Sequence, residues 1–488
     1  MNDQLQHIFK SVSLLIPEVI IIISLLITVL LGLTVKTNKH VILKLLALIT
    51  YGTSIFIIIQ QLPSESTVIF GGMMRIDAFS SYFKILFLVG GILGVWISGP
   101  QKENSSPEYF LLFHTVILGG CLLASSMNFI MVVLSLELIS LSSYLLAGFG
   151  FDKKSAEGSL KYFLFGTVAT ACMIYGLSIL YGFAGTLDFS SDLFVKNLIA
   201  RSSPLLLIGG LLTLAGFLFK ITAVPFHLWA PDVYESAPTP VVAFISVVPK
   251  LAGIAALTRF TMAINLFGQS GYHWQVILAA IAMISILIGN LSAISQTNPK
   301  RMLAYSSVAQ SGFLLIGIVT FSMDGIHFML FYSAVFLVMN FLVFNALNQF
   351  EEARSQLDIP SFAGLGAGLL VPSLAMLVGF VSLTGLPPTA GFTAKLFIFG
   401  SLWGAWQQSG ELMLLSLFVI GLLNTVVSVF FYLKIPYYLF MKEKKEIDLI
   451  KIDAPGNLLS LILVIVLFYL FISPNVLMGW INKITFVL

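Results

Sequence analysis

Charge is scarce in this sequence. Asp, Glu, Lys and Arg make up 10% of its 488 residues, against roughly 25% in a soluble globular domain. With 58% hydrophobic residues and a mean hydropathy of +1.00, that shortage excludes a water-soluble domain. The formal net charge of +3 is scattered through short connections. No basic patch or arm offers a footprint for nucleic acid. Cysteine is almost missing: Cys121 and Cys172 both lie in apolar runs and read as small core hydrophobes. An Fe–S cluster needs four thiolates, so this chain alone builds none. The six histidines form no His-x-x-x-His or Glu-x-x-His pair, which argues against a metal site. There is no Walker loop, Ser–His–Asp pattern or haem motif. Gly364, Gly366 and Gly368 lie in an apolar run, where small residues let helices approach, and lack the strand–turn–helix setting of a nucleotide fingerprint. No redox or hydrolytic chemistry, cofactor or metal is legible in the chain.

Long apolar runs are what the sequence has instead. They predict an all-α polytopic membrane protein, since an open lipid-exposed backbone must satisfy its own hydrogen bonds. Fourteen spans are expected, near 12–35, 41–60, 77–98, 108–125, 127–149, 157–184, 204–235, 238–262, 274–295, 301–321, 326–348, 361–405, 411–434 and 456–474. The first is long and lacks a small-residue cleavage site, so it reads as a retained span and not a signal peptide. Connections after odd-numbered spans carry Lys36, Lys39, Lys44, Lys102, Lys153, Lys154, Lys161, Lys300, Arg301, Arg354, Lys434, Lys442, Lys444, Lys445 and Lys451. Those after even-numbered spans carry only Arg75, Lys196, Arg201 and Arg259, and the termini add Lys10 and Lys483 to that side. The positive-inside rule then puts the first set in the cytoplasm and both termini on the outer side.

Two spans are interrupted. The seventh breaks at Thr222-Ala223-Val224-Pro225 and the twelfth at Thr384-Gly385-Leu386-Pro387, followed by Pro388. The breaks lie five spans apart, so spans 4–8 and 9–13 read as two five-helix repeats, each with its fourth helix broken. An odd number of crossings makes the second copy inverted, a plan in which breaks mark the ion or substrate path. The expected division is 1–107 for the first three helices, 108–265 and 266–440 for the repeats, and 441–488 for a loop and the last helix.

Four basic residues remain inside spans: Lys84, Lys220, Lys250 and Lys395. Glu137 is the clearest acidic one, and Glu18 and Asp77 lie nearer span ends. A charged Lys at a helix centre costs about 2.5–3.5 kcal/mol on insertion scales. Pairing of Glu137 with Lys220 is therefore the economical reading, whether structural or functional. Burial favours the neutral amine, and a neighbouring carboxylate holds the proton. Lysines spaced through the bundle then make a proton relay of Glu137, Lys220, Lys250 and Lys395, with water and hydroxyls between them. Lys250 and Lys395 have no equally obvious central acidic partner. Lys84 reads either as a packed or snorkelling residue or as part of a path. His227, just after the first break, either assists a proton path or caps the break, and His327 is a weaker accessory candidate.

The stretches SLELISLSSYLLAGF around Glu137, GFLFKITAVPFHLWAPDVYESAPTPVVAFISVVPK around Lys220 and Lys250, NPKRMLAYSSVAQSGF from Asn298 and TGLPPTAGFTAKLFIF before Lys395 resemble the antiporter-like membrane subunits of respiratory complex I, the proton-pumping NADH:quinone oxidoreductase. Of the three types, the chain is similar to the N, or subunit 2, type. It has no room for the lateral helix of the L type, it has Lys395 where the M type typically has glutamate, and it opens with LLIPEVIIIISLL. The resemblance implies a proton-translocating subunit in which Glu137 and Lys220 form a modulating pair, Lys250 is the central relay lysine and Lys395 leads to the exit. It places FMN, the Fe–S clusters and quinone in other subunits. It implies an M-type chain and small K- and J-type chains as neighbours, and a bacterial cytoplasmic (inner) membrane as the location. The alternatives are a cation/proton antiporter subunit of the Mrp type and a structural membrane subunit with inert buried pairs.

Overall fold

The computed structural model describes residues 11–35, 37–62, 66–99, 106–200, 203–265, 273–353, 358–443 and 453–485. The described chain is nearly all helix, as a backbone in lipid requires. In order, the helices are α1 (Ile16–Thr34), α2 (Lys39–Gln60), α3 (Ala78–Ile97), α4 (Pro107–Ser125), α5 (Phe129–Ala147), α6 (Lys153–Ala184), α7 (Asp192–Ala200), α8 (Pro204–Lys220), α9 (Ala230–Ser236), α10 (Thr239–Asn265), α11 (Trp274–Ile294), α12 (Pro299–Val319), α13 (Met323–Ala353), α14 (Leu370–Thr384), α15 (Ala390–Ser409), α16 (Leu412–Tyr432), α17 (Lys434–Met441), α18 (Ala454–Ile472) and α19 (Asn475–Ile481). Among the described residues, twelve helical stretches are long and apolar enough to cross a membrane, and α8 and α14 are apolar but shorter. The twelve and the two together match the fourteen expected crossings. At 17 and 15 residues, α8 and α14 reach only about 25 and 22 Å, short of a hydrocarbon core of about 30 Å.

Helix starts follow local chemistry. Ser106, Ser203 and Asn298 each cap a helix whose first residue is proline, where the missing N–H would have had no partner. Asp77 and Asp152 begin α3 and α6 with reciprocal capping boxes to Ser80 and Ser155. Between α2 and α3 lies a short antiparallel hairpin, β1 (Thr67–Ile69) with β2 (Met74–Ile76), which sequence periodicity did not predict because three-residue strands are too short to show alternation.

The chain divides into two compact units. One comprises Met1–Ile221, Val248–Trp274 and Ile484–Leu488; the other comprises Thr222–Val247 and Gln275–Lys483. In the first, α6 and α8 touch backbone to backbone: a Cβ on Gly176 would lie 2.5 Å from the Gly209 carbonyl oxygen. In the second, the largely buried α13 packs against α12, α14, α15 and α18. There Asn345 Nδ2 donates to the Gly456 carbonyl and Ser460 Oγ, both at 2.9 Å.

One loop assignment is corrected. Arg259 is inside α10, 2% exposed, and its guanidinium donates to both carboxylate oxygens of Asp77 at 2.7 and 3.0 Å. A buried arginine in an apolar run resembles a loop charge until its carboxylate partner, 182 residues away, is known. Lys10, Lys36, Lys102, Arg201, Arg354, Lys444, Lys445 and Lys451, and both chain termini, lie outside the described residues.

Candidate functional site

Pro225, Pro387 and Pro388 fall in the non-helical connections that interrupt spans seven and twelve. The first break follows Lys220, the last residue of α8, and Thr222 is left-handed with φ 63°. The second follows Thr384, the last residue of α14, and here the left-handed residue is Gly385 with φ 86°. The backbone therefore matches Thr222 with Gly385. The letters of the sequence matched Thr222 with Thr384, one position away, because identity of residue type does not report φ.

A helix that stops in the membrane leaves its last carbonyls without donors. At the second break, Lys395 supplies them. It lies in the second turn of α15, 4% exposed, and its Nζ donates to the Leu383 and Thr384 carbonyls at 3.1 and 2.8 Å. The ammonium also lies 4.3 Å from the centre of the Phe313 ring. Lys395 thus sits at the negative end of the α14 dipole, which answers why no acidic partner was visible: backbone oxygen takes that place. Gly385 makes the approach possible, since a Cβ there would stand 2.6 Å from Lys395 Cδ. The Leu383 carbonyl also accepts from Gln310 Nε2 at 3.1 Å, and Gln310 Nε2 contacts the Tyr432 hydroxyl at 3.2 Å. Tyr332 donates its hydroxyl proton to Gln310 Oε1, and the Tyr432 hydroxyl is hydrogen-bonded to Ser306. A buried polar network thus runs from Lys395 through Gln310 to three hydroxyls.

At the end of α8, Lys220 is 3% exposed and donates to Ser140 Oγ at 3.0 Å. Ser140 Oγ in turn donates a hydrogen bond to the Leu136 carbonyl at 2.6 Å. Glu137, half-buried on α5, accepts from Thr170 Oγ1 at 2.7 Å. Glu137 and Lys220 form no ion pair within 4.0 Å. They are joined through α5, where Glu137 and Ser140 are three residues apart on one face. Lys250 is 1% exposed and follows Pro249 inside α10, where proline cannot donate to the Ile245 carbonyl. One turn on, Gly253 lies against Lys220: a Cβ there would stand 3.2 Å from Lys220 Cβ. The structure thus gathers Glu137, Ser140, Thr170, Lys220 and Lys250 in one unit, and Lys395 with Gln310 in the other.

His227 lies in the connection between α8 and α9, 6% exposed, with Nδ1 lacking a hydrogen-bond partner among the described residues. His327 is half-buried in the first two turns of α13. Thr170, Gln310, Phe313, Tyr332 and Tyr432 were missed in the sequence; a glutamine inside an apolar run was the one signal available. Lys84 is neither snorkelling nor alone: its Nζ lies 2.7 Å from Glu18 Oε1, both side chains being buried. Among the described residues no cluster of His, Cys, Asp and Glu is arranged to hold a metal ion.

These features define a class: a polytopic α-helical membrane protein with a buried lysine at each of two helix breaks. Residues 126–426 match the model of the NADH:quinone oxidoreductase/Mrp antiporter transmembrane family, and residues 1–99 match that of the NAD(P)H-quinone oxidoreductase subunit 2 N-terminal region. NADH-quinone oxidoreductase subunit N of Chlorobium chlorochromatii (strain CaD3) is 36% identical over 445 residues, covering 89% of this chain and 86% of the relative. A chain of respiratory complex I from Thermus thermophilus, solved with bound aureothin, superposes with a TM-score of 0.81 at 27% identity, over 96% of this chain and all of that one. A chain of the Mrp complex from Dietzia sp. DQ12-45-1b superposes equally well, at 0.81 over 96% of each chain, but at 18% identity it shares the fold alone. The chain belongs to the NADH:quinone oxidoreductase/Mrp antiporter family and, within it, to the subunit N members of complex I.

Proposed function

We propose that this chain carries protons across the membrane as an antiporter-like subunit of NADH:quinone oxidoreductase. Glu137 and Lys220 act as the modulating group, Lys250 as the next acceptor and Lys395 as the group before the exit. The observation that supports this most is a lysine buried at each helix break, one on Ser140 and one on the free carbonyls of α14. An amine so placed exchanges a proton without moving its backbone, and hydroxyls beside it shorten the steps that water must bridge. His227 is the candidate for delivering a proton at the first break, because its Nδ1 is buried without a hydrogen-bond partner among the described residues; His327 is the weaker accessory group.

The driving change arises at a quinone site in other subunits, where FMN and the Fe–S clusters also reside; this chain carries no redox centre of its own. Residues 108–265 and 266–440 are the two five-helix repeats. M-type and small K- and J-type chains are its neighbours. The location is a bacterial cytoplasmic membrane, with both termini on the outer side.

The test is NADH-driven acidification of inverted membrane vesicles, measured with quinone turnover, in Lys220→Ala, Lys250→Ala and Lys395→Ala. Loss of proton pumping or of coupled turnover with the complex still assembled is expected in each. Normal coupled pumping in all three refutes the residue roles. An Mrp-type antiporter, which has the same fold, would instead exchange sodium for protons without NADH oxidation and would not copurify with flavin- and Fe–S-containing chains.

A further inference from the structure

The N-terminal helices hold buried ionisable groups that the lysines at the breaks do not use. Glu18 lies in the first turn of α1 and Lys84 in α3, and their side chains are 2% and 3% exposed. Nζ and Oε1 are 2.7 Å apart, but the approach is not aligned as a hydrogen bond, and Oε2 is buried without a hydrogen-bond partner among the described residues.

We propose that the Glu18–Lys84 pair is an exchangeable-proton site, separate from the lysines of the two breaks. A buried pair that only pins helices together repays its desolvation when the geometry is good and the remaining lone pairs are satisfied. This pair leaves a whole carboxylate oxygen unsatisfied. Oε2 is where an added proton would sit. Uptake forms one O–H bond, turns the carboxylate into a neutral carboxyl and leaves the Lys84 ammonium as it was, so one proton from water is gained and one buried negative charge is removed. Release is the reverse.

Several titratable and polar groups lie around the pair. From α2, the Tyr51 hydroxyl bonds His114 Nδ1. From α4, His114 Nε2 is 2.9 Å from Ser24 Oγ, and Cys121 lies within electrostatic reach of both Glu18 and Lys84. At the start of α3, Asp77 is held by Arg259, and Arg75 stands near both of these and Asp188. Among the described residues no aligned donor reaches Oε2. His114 and Cys121 are seven residues apart on α4, about 10 Å along the axis. Ser54, whose hydroxyl donates to the carbonyl of Pro17 beside Glu18 at 3.4 Å, and the His114–Tyr51–Ser24–Thr50 cluster are polar stops for a proton arriving or leaving by way of water.

Infrared difference spectroscopy of the assembled complex in membranes, between acidic and alkaline pH, tests this directly. The wild type is expected to show a protonated-carboxyl stretching band that moves to lower frequency in D2O, is lost in Glu18→Gln and survives in Lys395→Ala. If Glu18→Gln does not assemble, the uncharged pair Glu18→Gln/Lys84→Met carries the test, because it leaves no unmatched buried charge. An assembled complex of either variant whose carboxyl region superimposes on the wild type overturns the proposal. The band is read without NADH or pumping, so its absence and a failure of the pumping role are separate results.

Discussion

Replacing Gly385 by alanine tests how a helix break and a buried lysine depend on each other. Gly385 is left-handed, with φ 86° and ψ 44°, a conformation that costs an L-residue with a Cβ about 1–2 kcal/mol. The added methyl would also stand 2.6 Å from Lys395 Cδ, so the lysine stem must retreat by about 1 Å to reach ordinary carbon–carbon contact. Nζ now donates at 2.8 and 3.1 Å; a retreat of about 1 Å takes both contacts outside hydrogen-bonding range. The Leu383 carbonyl keeps Gln310, but the Thr384 carbonyl loses a charge-assisted bond worth about 1.5–3 kcal/mol. The total, about 2.5–5 kcal/mol on the same figures, falls mostly on where Lys395 sits, because the side chain yields more easily than the packed helices. Gly385→Ala should therefore assemble and still reduce quinone, while protons moved per electron pair fall towards the Lys395→Ala level. The assay is simultaneous NADH oxidation and acidification in inverted vesicles. Wild-type proton yield in assembled Gly385→Ala would show that the Lys395 contacts with α14 do not matter.

Three further outcomes are expected. Ser140→Ala removes the hydrogen bond from Lys220 Nζ to Ser140, a charge-assisted contact of about 1.5–3 kcal/mol, and should lower the pumping yield more than Thr170→Val, which leaves Lys220 untouched. Arg259→Met strands the buried Asp77 carboxylate and should destabilise the chain by about 3–5 kcal/mol, read as reduced assembly or a lower inactivation temperature, with recovery in Arg259→Met/Asp77→Asn. At the start of α6, outside the membrane, hydrogen bonds from the Ser155 backbone and side chain hold the exposed Asp152 carboxyl below its ordinary value. The anionic cap therefore contributes at pH above the unfolded carboxyl value of about 3.9 and is lost as pH falls through the lower folded value. Amide exchange in the first turn of α6, corrected for intrinsic rate, should be slower in the wild type than in Asp152→Asn at pH 6, with the gap closing below about pH 4.

Spans, breaks and isolated lysines were legible because each rests on a local signal. A run of about twenty apolar residues has few other readings, and proline and lysine stand out inside one. Partners were less legible. Glu18 with Lys84 and Asp77 with Arg259 join residues 66 and 182 positions apart by number, and nothing in one apolar run announces the other. The expected direct contact of Glu137 with Lys220 had the right helices, but chain periodicity could not tell an ion pair from two hydroxyl contacts one turn apart. The partner of Lys395 was invisible for a deeper reason: it is main-chain carbonyl oxygen, which every residue carries.

The two breaks solve the same physical problem in different ways, and the difference bears on their roles. Lys220 ends the first half of its broken helix and points away from it, to a hydroxyl on α5 with a carboxylate one turn along that helix. Lys395 belongs to the second half of its helix and reaches back to the carbonyl end of the first. The field at Lys220 depends on a side chain, Glu137, that can change rotamer or hydrogen-bond partner. The field at Lys395 depends on backbone dipoles held by packed helices, which do none of these without unfolding a turn. A relay that must be switched from elsewhere needs its adjustable group first and can keep a fixed one near its exit. In the proposed relay, this difference places control at Lys220 and passive transfer at Lys395. Glu137→Gln should then weaken the response of pumping to quinone turnover, and Gly385→Ala should lower proton yield under all conditions alike.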